Sequence, residues 1–200
     1  INKVVSSSSD KAVSVEDYSN TSIAVANKVL PSVVGITVTY SVNSPYYSYY
    51  GMSEGTAKAT GSGVVITDDG YVLTNNHVVS SSSSSSYYQV SKATKITVTL
   101  YNDTTEYEAK LVGSDEQTDL AVLKIEKTGL TAAELGDSSK VQVGEFAMAI
   151  GNPLNMASTV TTGVISATNR TITSDNVTYK VIQTDAAINS GNSGGALINA

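Results

Sequence analysis

The spacing of apolar positions changes once along this chain, and the change divides it. Between residues 19 and 31 the apolar side chains Ile23, Ala26, Val29 and Leu30 recur at helical intervals. Ser19, Asn20 or Thr21 can cap this segment and Pro31 halts it, so a helix is predicted here. From Ser32 onward the period is two. β-Branched runs separated by glycine or Asn/Asp turns predict short strands in "SVVGITVTY", "GSGVVIT", "YVLTNN", "KITVTLY", "EYEAKLVG", "DLAVLKI", "EFAMAIG", "STVTTGVISAT" and "YKVIQTD". In "ITDDGYVLT", Asp68, Asp69 and Gly70 supply turn chemistry between two apolar segments, which predicts a hairpin. So many short strands without intervening helical patterns predict an all-β fold, with antiparallel sheet closed into barrels or a sandwich.

Three stretches break the rhythm. The opening segment 1–20 is polar and serine-rich, with Val4, Val5, Val13 and Val15 too sparse to make a core, and reads as an arm. Residues 43–61, with Tyr46, Tyr47, Tyr49 and Tyr50, and the serine run from Ser80 to Ser86 read as loops. The tyrosine cluster is expected to be an exposed loop or a contact surface for a partner.

Composition narrows the function. A chain of 200 residues that is 40% hydrophobic can bury a real core. Its formal charge of −6 comes with scattered Lys and Arg, so no basic stripe attracts nucleic acid or anionic lipid. The absence of cysteine excludes a thiol nucleophile, a disulfide framework and a thiolate metal site. No stretch approaches the roughly 20 apolar residues of a membrane-spanning helix. Beginning at Ile1, with Ser6 to Asp10 where the apolar region of a secretion signal would lie, the chain reads as part of something longer.

The single histidine sharpens the chemistry: any imidazole mechanism must use His77, and a two-histidine metal site within the chain is excluded. Ser193 lies within "GNSGG". Glycines there permit positive φ and let backbone amides converge on one point, as an oxyanion site requires. A serine hydroxyl is a weak nucleophile and needs a base, and the base needs an acceptor that holds its tautomer. His77 is the candidate base. The acceptor should be a buried carboxylate beside an apolar strand; Asp119 fits best, Asp185 is its rival, and Asp68, Asp69, Asp103 and Asp115 sit in polar turns. G-x-S-x-G also occurs in α/β-hydrolases, but there the acid and the histidine follow the serine, and nothing titratable follows Ser193. The order His, Asp, Ser is that of the chymotrypsin arrangement.

"TNNHVV", "TDLAVLKI", "GNPL" and "QTDAAINSGNSGGALIN", in this order and spacing, resemble the trypsin-like protease domain of bacterial HtrA/DegP proteins, from about Val29 to Asn199. The resemblance implies a chymotrypsin-like double β-barrel with an N-terminal helix. The arm would span 1–20, the helix and first barrel 21–134, and the second barrel 135–200. His77, Asp119 and Ser193 would act as base, orienter and nucleophile. Gly191, Asn192 and Ser193 would form the oxyanion turn, with N–H donors from Gly191 and Ser193. It implies no cofactor and no metal, a trimeric extracytoplasmic enzyme acting on misfolded proteins, and any membrane attachment through a segment outside this chain. "NRTITSDNVTYK" corresponds to a sensor loop. Ala187, six residues before Ser193, would lie at the base of the primary pocket, followed by Ile188. With no carboxylate there, cleavage after Val, Ala or Leu is expected.

Departures shape the expectations further. The family continues with strands that close the second barrel and with PDZ domains, which this sequence lacks. The second barrel is therefore expected to be open and the chain weakly active or inactive. Asn155 stands where the family more often has glycine. The competing readings are a cleft that holds unfolded chains without cutting them, and an esterase using the same triad.

Overall fold

The computed structural model describes residues 14–43, 55–80, 89–152, 158–174, 177–189 and 191–200. The tyrosine cluster, most of the serine run and Asn155 lie outside the described residues, as does the arm up to residue 13.

Helix α1 spans Val15–Val29 and starts earlier than its apolar spacing predicts. The cause is a capping box. Ser14 Oγ accepts from the Asp17 N–H at 3.0 Å, and the Asp17 carboxylate accepts from the Ser14 N–H at 3.2 Å. These bonds from Ser14 hold the Asp17 carboxyl below its usual range, so the cap is complete above that range and is lost as pH falls through the lowered value beneath it. Residues 14–20 therefore belong to the helix and its cap. The inward-facing stripe is also displaced: Val25, Ala26, Val29 and Leu30 pack inward and are half-buried, whereas Ile23, expected among them, is 56% exposed.

A 3-10 turn, Leu30–Ser32, carries Pro31 and leads into β1, Val33–Asn43. There follow β2 (Gly55–Val65), β3 (Tyr71–Asn75), the one-turn helix α2 (Asn76–Val79), β4 (Gln89–Thr99), β5 (Glu106–Asp115) and β6 (Leu120–Ile125). Six strands close into a barrel in the order β1-β2-β3-β6-β5-β4, all neighbours antiparallel. The period of two becomes the inside of that barrel: Val34, Ile36, Val38 and Tyr40 from β1 meet Val72, Val98, Ala121, Leu123 and Ile125. The predicted hairpin joins β2 to β3, where Gly70 has φ +108° and donates to the Thr67 carbonyl at 3.3 Å.

Among the described residues the second unit is an open four-stranded sheet. Its order is β10-β7-β8-β9, from β7 (Phe146–Gly151), β8 (Thr159–Ser174), β9 (Val177–Thr184) and β10 (Ala196–Ile198). The segment likened to a sensor loop forms paired strands on both sides of residues 175–176, with Arg170 opposite Val181 and Ser174 opposite Val177. Strand β10, three residues long, is too short for the alternation to reveal.

Helix α1 packs on this second sheet. Its stripe covers Met148 and Ile150 together with Phe146, Ala196 and Ile198, and the Tyr18 ring meets Phe146 edge-on at 5.8 Å. Val33 joins this cluster while its neighbour Val34 turns into the barrel, because successive strand residues face opposite ways. β1 is thus shared by two cores.

Leu123→Ala, at a site with no exposure, is expected to cost about 2–5 kcal/mol in urea unfolding. Leu111→Ala, where Leu111 is 48% exposed, is expected to change stability by no more than about 0.5 kcal/mol. Equal losses would contradict this assignment of the core.

Candidate active site

His77 sits in α2 immediately after β3, one residue beyond the helix start. The turn before β6 brings Asp119 to it. One carboxylate oxygen accepts from the His77 backbone N–H at 2.9 Å, and the other lies 2.7 Å from Nδ1. A carboxylate against Nδ1 fixes the proton there and leaves Nε2 as the basic nitrogen. Asp119 adopts φ +55° to make this reach. Its side chain is 31% exposed, so the expectation of a buried carboxylate is corrected: it lies in a turn at the barrel mouth, where solvent reaches one side. The rival Asp185 is engaged elsewhere, accepting from the Val164 N–H at 2.7 Å. Asp103, in the turn before β5, accepts from Thr105 and Tyr107, whereas Asp115, expected in a turn, ends β5 and accepts from Gln117 and Thr118 of the turn that follows.

Ser193 is exposed on the turn that leads into β10. Pairing of Ala196 with Ile150 and Ile198 with Met148 anchors that turn to β7. Within it, the Gly195 N–H donates to the Asn192 carbonyl at 2.8 Å and the Asn192 N–H to the Asn189 carbonyl at 3.1 Å. Among the described residues Ser193 Oγ and His77 make no hydrogen bond; such contacts commonly tighten only around a substrate. Nor do the N–H groups of Gly191 and Ser193 have a protein acceptor among the described residues. Ala187 and Ile188 are both exposed, and the Ala187 carbonyl accepts from Thr161 Oγ1 at 2.9 Å; Ala186 is the buried member of the run.

Three further polar residues, Asn75, Ser62 and Thr74, tie this site together. The Asn75 amide donates to the Asp119 carbonyl at 2.9 Å and accepts from the Gly194 N–H at 2.8 Å. Ser62, fully buried in β2, donates through Oγ to the Gly191 carbonyl at 2.7 Å and through its N–H to the Ser193 carbonyl at 2.8 Å. Thr74 Oγ1 donates to the Ser62 carbonyl at 2.7 Å. Their signal was present in "TNNH" and "GSG", but a lone Asn, Ser or Thr in a strand has no pattern of its own. Among the described residues no cluster of His, Asp and Glu could hold a metal ion.

The trypsin-like peptidase domain family matches residues 61–200. The chain belongs to that family. Among relatives of this trypsin-like peptidase, a probable periplasmic serine protease do/HhoA-like from Haemophilus influenzae is 49% identical over 152 residues, covering 74% of this chain and 30% of the relative. The serine protease Do-like HtrB of Bacillus subtilis is 44% identical over 211 residues, covering 96% of this chain and 43% of that protein. The solved HtrA-type protease AlgW with a tripeptide matches with a TM-score of 0.69 at 40% identity, covering 87% of this chain and 49% of that one. These relatives identify the peptidase as a member of the HtrA/DegP group. The chain spans less than half the length of each of these three relatives.

Gly194 has φ +81°, and a Cβ there would run into the Ser62 carbonyl oxygen and Thr74 Oγ1. Gly194→Ala is expected to destabilise the chain by about 1–3 kcal/mol or more. Gly113→Ala, with open space around it, is expected to stay within about 0.5 kcal/mol of the unaltered chain. Comparable unfolding midpoints for the two variants would contradict the tight packing of the Ser193 turn.

Proposed function

We propose that the chain is the catalytic unit of an HtrA-type serine endopeptidase, with His77, Asp119 and Ser193 as its triad. The observation that carries this reading is the grip of Asp119 on both the ring and the backbone of His77, beside a Ser193 turn tied to Asp119 through Asn75. His77 Nε2 takes the Ser193 hydroxyl proton as Oγ attacks a peptide carbonyl. The N–H groups of Gly191 and Ser193 receive the oxyanion, each worth about 2.7–4 kcal/mol of barrier. The imidazolium, stabilised by Asp119, protonates the leaving amine, and water then releases the acyl group. Ala187 and Ile188 contribute to a pocket for small or medium aliphatic side chains.

Unfolded or misfolded proteins as substrates, a homotrimeric assembly and an extracytoplasmic location complete the reading. The periplasmic designation of the Haemophilus influenzae relative supports the location. No helix among the described residues is long and apolar enough to cross a membrane.

Asp119→Asn is expected to lower kcat for peptide hydrolysis by about 10⁴-fold by releasing the tautomer of His77. His77→Ala should lower the rate comparably, and an unaltered rate in that variant would exclude a histidine base. A peptide library should yield cleavage after Val, Ala or Leu, and preference for Lys or Arg would overturn the pocket assignment.

A further inference from the structure

We propose that Ser62 is a positioning residue that sets the oxyanion turn from the opposite unit, a role that rests on the reading of Ser193 as nucleophile. A trans peptide group is planar, so fixing its carbonyl also fixes the direction of the N–H on its other side. Three consecutive peptide planes of the turn are held in this way. In the plane between Gly191 and Asn192, Ser62 Oγ holds the carbonyl and the Asn189 carbonyl receives the N–H. In the plane between Asn192 and Ser193, the Gly195 N–H holds the carbonyl, which turns the Ser193 N–H the other way. In the plane between Ser193 and Gly194, the Ser62 N–H holds the carbonyl and Asn75 receives the N–H. Ser62 thus grips two of the three planes, one on each side of the peptide that carries the Ser193 donor.

The hydroxyl of Ser62 has a second duty. It accepts from the Asn152 N–H at 2.8 Å while it donates to Gly191. Asn152 follows directly on β7, so one buried oxygen on the first barrel joins the end of β7 to the turn that β10 anchors. All the polar groups of Ser62 are committed: Oγ to Gly191 and Asn152, the N–H to Ser193, the carbonyl to Thr74. An alanine here would leave the buried Asn152 N–H and the Gly191 carbonyl without this partner. Such groups seek others, and the flexible Gly191, at φ +101°, offers little resistance to rotation of its peptide.

The test uses a peptidyl trifluoromethyl ketone ending in valine, labelled with carbon-13 at the ketone. Ser193 Oγ adds to the ketone carbon, the carbonyl π pair becomes the oxyanion, the hydroxyl proton passes to His77, and no group leaves. The carbon-13 shift followed against pH reports how strongly the turn stabilises the oxyanion, and urea unfolding of each variant reports stability separately. In Ser62→Ala, and, should the alanine variant fold poorly, in Ser62→Cys, whose thiol fills the site but donates and accepts only weakly, the adduct is expected to bind about 10- to 100-fold more weakly. Its oxygen should ionise at higher pH than in the unaltered chain. An unchanged ionisation midpoint with only lowered stability would assign Ser62 a purely structural role, leaving the nucleophile reading intact. No adduct on Ser193 even in the unaltered chain would overturn the nucleophile reading and this role with it.

Discussion

Distant parts of a chain can share one chemical site only if something rigid holds their backbones together, and here the Asn75 amide is one such link beside the bonds of Ser62. Asn75 bonds the Asp119 carbonyl 44 residues downstream and the Gly194 N–H 119 residues downstream. With the Asp119 carboxylate on His77 and β10 paired to β7, the barrel mouth and the edge of the second sheet meet along one line. Everything else in the fold serves to make these bonds permanent. The barrel core fixes β3 and β6, which deliver His77 and Asp119, and α1 covers the sheet whose edge strand positions Ser193.

Most of the strands were legible because a strand with one buried face writes its period into the sequence. Val34, Ile36, Val38 and Tyr40 are such a record, and so is the alternation of Ala121, Leu123 and Ile125. The helix start is invisible to apolar spacing, because polar Ser14 and Asp17 define it and the apolar stripe begins later. Nor could the spacing show that the stripe belongs to the second sheet, since Ile23 and Val25 are both apolar and only packing selects between them.

The candidate site divides in the same way. His77 stood out by being the sole histidine and Ser193 by its glycine setting, and the choice of Asp119 over Asp185 followed from its place before an apolar strand; in the structure Asp119 meets His77 and Asp185 binds Val164. The exposure of Asp119 is not written in its local sequence, because exposure at a barrel mouth depends on neighbouring loops. Ser62, Thr74 and Asn75 escaped notice because their importance lies in partners far along the chain. Hydrogen-bonding residues of this kind acquire meaning only when the fold chooses their partners.

The most direct measurement is the site of covalent capture by a fluorophosphonate, mapped by mass spectrometry on the intact chain and on His77→Ala. A phosphonyl group on Ser193 alone, displacing fluoride, and greatly slowed in the histidine variant, is the predicted result. Modification spread over other serines, or equal labelling without the imidazole, would contradict an alcohol activated by His77.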